Sequence, residues 1–372
     1  MRILIAGFST RACAESAVAG GLHVVTVDYF GDLDQCLLAP GVSLRERGQE
    51  YSAEAIRDAA AGLEADAVAY CGGLENHPEV VAALATGRRL LGNAPETLRR
   101  VRDPFQVQAF LARRGFQVPA TLDRHDPPPA SGEWLVKPVR GGGGRGVRPW
   151  DGSRPPGPGQ LLQERIAGLP ASAVFVADGR RAVRLGWSEQ TPGPRGFLYG
   201  GNLLPLAAPE AAAREVDALI QALTEEYGLR GLNGIDFILR ETRPLFLEVN
   251  PRYCASMELV DRSAGLSAFA LHVEACQGRL PEAPPPTPAE VWGKRIVYVS
   301  GASGAPGGLR VPDTRAWIPR GVRDVPHPGA DVGRGEPLCT VLARAPTRES
   351  CLALLAAEEA GVLEECRAGD EA

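Results

Sequence analysis

The sequence predicts a mixed α/β and α+β chain: a parallel N-terminal sheet, a central pair of α+β subdomains and a small β-rich C-terminal piece. Three observations predict it. Short apolar strands alternate with Ala-rich helices over residues 1–94. Longer strand-like runs around one amphipathic helix occupy 95–280. The Pro-rich stretch Pro281–Glu290 then sets off 281–372. With 372 residues, 44% of them apolar, the chain has material for more than one core.

In the first unit, Arg2–Ala6 reads as a short buried strand, Ala12–Ala19 as a helix and Leu22–Val27 as a second strand ending at Asp28. A helix over Ser52–Leu63 leads to the strand Ala67–Tyr70. Cys71-Gly72-Gly73 opens a loop, and Pro78–Ala85 is helical. Strict alternation with short connections implies a parallel, Rossmann-like sheet. The first turn, GFSTRA, lacks the G-x-G-x-x-G pattern of a dinucleotide site, so this unit is expected to serve a substrate.

One helical stretch is expected over Pro95–Arg114, stopped by Gly115 and Pro119. A Pro-rich surface loop follows over Asp123–Glu133. Trp134–Val139 is a strand, succeeded by the glycine run 141–146. Leu161–Ile166, Ala173–Ala177 and Arg181–Trp187 read as antiparallel strands, with Asp178-Gly179 as a hairpin turn. Glu210–Tyr227 is a helix ending at Gly228. Gly234–Leu239 and Pro244–Val249 form a hairpin, and Gly265–Cys276 a further helix. Beyond the Pro-rich stretch, Trp292–Val299 and Pro337–Ala343 are strands, and Arg348–Glu365 an amphipathic helix.

Two constellations carry chemistry. A strand delivers Lys137, and Gly141, Gly142, Gly143, Gly144 and Gly146 follow at once. A loop without Cβ atoms brings backbone N–H groups against phosphate oxygens, and the lysine adds a point charge. On the hairpin, Asp236 and Glu248 project from one face, and Asn250 shares that face because it lies two residues on. Two carboxylates and an amide oxygen are hard ligands suited to Mg2+ (or Mn2+) held against phosphates. Flanking Ile, Phe, Leu and Val imply that the acids are partly buried and so need a partner. Arg252, one step beyond, can neutralise a transferring phosphoryl group. A third element, Gln163-Glu164-Arg165-Ile166, ends a strand whose backbone edge can pair with adenine.

In this order the motifs resemble the ATP-grasp superfamily, closely over Pro95–Cys276. The resemblance implies Lys137 with the glycine loop as phosphate grip, Gln163-Glu164-Arg165-Ile166 as adenine hinge, and Asp236 with Glu248-x-Asn250-Pro251-Arg252 as the metal and phosphoryl strand. It implies three parts: a pre-ATP-grasp domain over 1–94, an ATP-grasp domain over 95–280 (subdomains 95–160 and 161–280), and a linker with a β-rich region over 281–372. The chain looks most like the carboxylate–amine ligase branch that includes tyramine–glutamate ligase, alongside biotin-carboxylase-like members. The expected reaction activates a carboxylate as an acylphosphate with ATP, giving ADP and phosphate, and joins it to an amine. Bicarbonate activation, or a catalytically silent nucleotide-binding protein, are the alternatives.

Two departures stand out. Members usually carry an early lysine after an aspartate, but Asp103 precedes Pro104 here, so Arg100 or Arg102 has to serve or the contact is lost. Where many members place an acidic ribose contact shortly after the hinge, Leu169-Pro170-Ala171-Ser172 offers only Ser172, which leaves ribose recognition open. Glu75 and Asn76, in the loop after the third strand, are candidate substrate contacts. Arg195, in a Gly/Pro-rich segment, is a candidate for a substrate carboxylate.

The formal net charge of -5 argues against a nucleic-acid partner. Eight dispersed cysteines, without CxxC pairs, read as reduced packing residues. No apolar run is long enough to cross a membrane. The expected setting is cytoplasmic, with small-molecule carboxylate and amine partners and a homodimer compatible with the reading.

Overall fold

The computed structural model describes residues 1–127, 131–299 and 309–370. Of the loop expected over 123–133, residues 128–130 therefore lie outside the described set. The first sheet comprises β1 (Arg2–Ala6), β2 (His23–Asp28), β3 (Gly41–Ser43), β4 (Ala67–Tyr70) and β5 (Arg89–Leu91), in the order β3-β2-β1-β4-β5. All its pairings are parallel. Helices α1 (Arg11–Ala19), α2 (Leu33–Leu38), α3 (Ala53–Ala60) and α4 (Pro78–Leu84) make the crossovers. Ser52 caps α3 by accepting the N–H of Ala55, as its place before an apolar helix predicts. The strands are apolar on both faces because helices cover both, as parallel sheets require.

The single helix expected over Pro95–Arg114 is two: α5 (Pro95–Val101) and α6 (Pro104–Arg113). Proline disfavours helical geometry in the residue before it, and Asp103 is extended, at φ -85° and ψ 106°. Its carboxylate accepts the N–H groups of Phe105 and Gln106 and so starts a new helix. The break leaves Arg102 at the end of one helix, free to point elsewhere.

The second sheet is antiparallel, ordered β6-β9-β7-β8, from β6 (Thr121–Leu122), β7 (Trp134–Pro138), β8 (Arg148–Pro149) and β9 (Gln160–Glu164). The largest sheet starts from β10 (Leu169–Asp178), β11 (Ala182–Pro192), β12 (Tyr199–Leu204), β13 (Arg230–Arg240) and β14 (Arg243–Asn250). Helix α7 (Glu210–Tyr227) packs Val216, Leu219, Ile220 and Leu223 on one face of it, and Gly228 ends the helix at φ +65°. Helices α8 (Met257–Ala264) and α9 (Ala268–Ala275) share a core with this sheet and the first one.

The C-terminal strands extend that same sheet. β15 (Val291–Tyr298) pairs with β12, and β18 (Pro337–Ala345) pairs with β15, giving β14-β13-β10-β11-β12-β15-β18. The segment between them holds the short pair β16 (Leu309–Arg310) and β17 (Asp331–Val332), with α10 (Trp317–Arg320). Helix α11 (Arg348–Asp370) closes the chain against β18 and β15. An open strand edge leaves N–H and C=O groups unpaired, and the last region satisfies the edge of β12. No helix among the described residues is long and apolar enough to cross a membrane.

Candidate functional site

Lys137 stands on β7 between β8 and β9. Its ammonium donates to Oε1 of the buried Gln163 at 2.9 Å, and Gln163 donates in turn to the hydroxyl of Thr121 at 3.3 Å. The side chains of the next residues turn aside: Glu164 accepts the N–H of Ala120, Arg165 pairs with Glu133 at the surface, and Ile166 is half-buried.

The glycine run is a tight loop docked on the segment before β12. Gly143, Gly144 and Gly146 all have positive φ. The carbonyl of Gly143 accepts the N–H of Tyr199 at 3.0 Å. A Cβ on Gly144 would lie 1.8 Å from the carbonyl oxygen of Phe197, so only glycine fits.

Across the cleft, Asp236 on β13 and Glu248 on β14 are direct partners in the ladder, and Asn250 pairs with Gly234. Both carboxylates are half-buried. Asp236 accepts from Gln190 at 2.8 Å and from the Asn250 amide at 2.9 Å. Burial, then the negative charge of Glu248, pushes the Asp236 carboxyl up to about 7. Burial acts to raise Glu248 as well, but the positive charges of Arg102 and Lys137 outweigh it and hold that carboxyl below its ordinary range.

Two arginines tie this strand to the N-terminal unit. Arg102 donates to Asn76 Oδ1 (3.0 Å), the carbonyl of Val249 (2.7 Å) and the carbonyl of Gly141 (3.0 Å), and lies 3.8 Å from Glu248. Arg100 instead pairs with Glu226 at the surface. Of the two arginines left to serve in place of the early lysine, Arg102 is the one at the site. Arg252 donates to Glu75 Oε1 (3.1 Å) and Asn250 Oδ1 (3.0 Å). Glu75 Oε2 has no hydrogen-bond partner among the described residues. Lys137, the glycine loop, Gln163, Asp236, Glu248, Asn250, Arg102, Arg252, Glu75 and Asn76 thus form one connected neighbourhood, drawn from all three sheets' surroundings.

A cavity of about 790 Å³ opens beside it, at the carboxyl ends of β1 and β4. Phe8, Tyr51 and Glu75 wall one side, Gly141–Gly143 and Tyr199 another, and Lys294 and Tyr298 of β15 a third. Arg195 is not among the lining residues; it is exposed, with its guanidinium beside Gly335. Ser172 is buried against Ser188 at 3.0 Å. Lys294 was not singled out from sequence. Nothing in its local sequence marks it, because it reaches the site through the pairing of β15 with β12.

Residues 101–256 match the ATP-grasp domain family. The formate-dependent phosphoribosylglycinamide formyltransferase of Parasynechococcus marenigrum is 25% identical over 95% of this chain and 97% of its own. The biotin carboxylase domain of Hydrogenobacter thermophilus 2-oxoglutarate carboxylase superposes with a TM-score of 0.72 at 16% identity, over 95% of this chain and 88% of that one. That structure is a dimer in complex with magnesium ADP, ADP and bicarbonate. The L-amino acid ligase of Bacillus licheniformis superposes with a TM-score of 0.69 at 17% identity, over 97% of each chain. The fold matches these solved structures over nearly the whole chain.

Proposed function

We propose that this chain, whose residues 101–256 match an ATP-grasp domain, is an ATP-grasp ligase that joins a carboxylate to an amine through an acylphosphate. The observation that supports this best is the paired Asp236 and Glu248 facing Lys137, Arg102 and Arg252. Two adjacent carboxylates beside a phosphate-sized set of cations suit metal-assisted phosphoryl transfer.

The donor set fits a hard divalent cation. Asp236, Glu248 and Asn250 Oδ1 offer oxygen ligands, and burial with the charge of Glu248 raises the Asp236 carboxyl, as two carboxylates with no cation between them would. Mg2+ held there would draw charge from the nucleotide phosphates. Lys137 and the N–H groups of the glycine loop bind and orient those phosphates. The substrate carboxylate attacks the γ-phosphorus, ADP leaves, and Arg252 stabilises the acylphosphate. The amine nitrogen then attacks the acyl carbon, the C–O bond to phosphate breaks, and the nitrogen gives up a proton. Glu75, with one oxygen on Arg252 and the other unpartnered, is the residue we assign to receive that proton. The relative from P. marenigrum, by its name formate-dependent, and the L-amino acid ligase support a carboxylate as the activated group.

The test is ADP release across a matrix of carboxylic acids and amines, with 18O in the acid. An acid-dependent release of ADP, with 18O passing from the carboxylate into inorganic phosphate, is expected. Release of AMP, or no acid-dependent turnover, would overturn the reading.

A further inference from the structure

The cavity lining includes a cluster of buried charges that the proposed chemistry does not use. Arg11, fully buried, donates to Glu258 at 2.6 Å and to Asp324 at 2.9 Å, and lies 3.6 Å from Asp34. Lys294 donates to the same Glu258 at 2.6 Å. The nearby Arg262 and Arg323 are engaged with Glu15. Asp28 is satisfied by the N–H groups of Thr10 and Gly31.

Asp32 is left over. It lines the cavity, is only 6% exposed, and its Oδ2 has no partner among the described residues. Arg11, the cation whose charge reaches it, is hydrogen-bonded to Glu258 and Asp324 instead. A buried carboxylate without a counter-charge is costly, and a ligand bearing a positive group offsets that cost.

The wall between Asp32 and Glu75 is aromatic. Phe30 packs edge-on to Phe8, with ring centroids 5.0 Å apart, and Phe8 packs edge-on to Tyr51 at 4.8 Å. Tyr51 is the residue against Gly73, two before Glu75, while Phe30 lies two before Asp32. The cavity thus presents an aromatic wall, with the guanidinium groups of Arg145 over Phe8 and Arg45 over Phe30, and two buried, partly unpartnered carboxylates close in sequence to its rings. Such a surface suits a carbon chain or ring that carries an amine at each end.

We propose that the amine substrate is a diamine-class molecule: one nitrogen reacts beside Glu75 and Arg252, and the other stays cationic against Asp32. This rests on the ligase reading above. The distal ammonium fixes the length of the acceptor, and Asp32 sets specificity without taking part in the chemistry.

Calorimetry on the whole protein with saturating ADP and Mg2+ tests it. The titrants are the series from diaminopropane to diaminooctane, with the monoamine and the amino alcohol of each length. At least one diamine is expected to bind roughly tenfold more tightly than its monoamine. Asp32→Asn is expected to remove that advantage while monoamine and ADP affinities hold. The proposal is overturned if no diamine outbinds its monoamine, if the amino alcohol matches the diamine, or if the advantage survives in Asp32→Asn. The comparison on the unaltered protein needs no variant to fold. Because binding is read without turnover, a failed ADP-release assay would sink the ligase reading and leave this measurement standing, and the reverse.

Discussion

Glu248 sits directly opposite Asp236 across β13 and β14, so two half-buried carboxylates lie side by side on one face of the sheet. Without a metal they repel, and burial together with Glu248 holds the Asp236 carboxyl at about 7. Glu248→Gln is expected to abolish Mg2+-dependent ADP formation while the melting temperature of the metal-free protein stays level or rises. Near-normal Mg2+-dependent turnover in this variant would remove Glu248 from the metal set.

Lys137 is the cation on β7, and its hydrogen bond to Gln163 holds it across the hinge strand. Lys137→Ala should weaken ATP binding and bring ADP formation close to background, with the fold intact by circular dichroism. Lys137→Arg should be poor too, since a planar fork does not reproduce a point charge. Unchanged ATP affinity by calorimetry would show that the phosphates are held elsewhere.

Arg102 reaches the candidate site beside Glu248, whereas Arg100 pairs with Glu226 at the surface. Arg102→Lys keeps the charge but cannot hold Asn76, Val249 and Gly141 together. ATP affinity should fall roughly tenfold, or about 1.4 kcal/mol. Arg100→Ala serves as the control and should leave affinity unchanged. The reverse ranking of the two variants would contradict the assignment.

Gly144 and Gly142 separate loop geometry from loop composition. A side chain at Gly144 meets the Phe197 carbonyl and a positive φ, whereas a Cβ on Gly142 meets nothing within 4 Å. Gly144→Ala should lower kcat at least roughly tenfold by lifting the loop off the segment before β12. Gly142→Ala should be close to neutral. Steady-state kinetics on both checks this, and equal effects would mean that docking of the loop is irrelevant.

His272 on α9 accepts the N–H of Leu232 at 2.8 Å, and burial pushes its imidazole down from 6.5 to about 4. The folded chain therefore excludes a proton that the unfolded chain binds below 6.5. Its contribution to stability is complete above pH 6.5 and is lost as pH falls toward 4, by up to about 3 kcal/mol. Urea midpoints at pH 7, 5.5 and 4.5 should fall less steeply in His272→Asn than in the unaltered protein. Parallel slopes would show that His272 does not titrate in this window.

Much of the site is legible in the sequence because its chemistry is local. Asp236, Glu248 and Asn250 alternate along two strands joined by a short turn, so their common face follows from the period of a strand. The helix break at Asp103-Pro104 was missed, because the single helix expected over Pro95–Arg114 gave no weight to an aspartate that caps and a proline that disfavours helix in the residue before it. The composition of the glycine loop was readable, but not that it docks on Phe197 and Tyr199, since that contact spans some fifty residues of chain.

What the sequence determined by itself was the order of the elements and the kinds of side chain that each would present. Local propensity and alternation act within a few residues and need no partner. Only the tertiary structure decided which of them meet. It placed Arg102 on Glu248, left Arg195 outside the cavity, and carried β15 to the edge of β12 so that Lys294 reaches Glu258 and Arg11. Those contacts arise because open strand edges must be paired and buried charges must be matched, and both demands are settled between segments far apart in the chain.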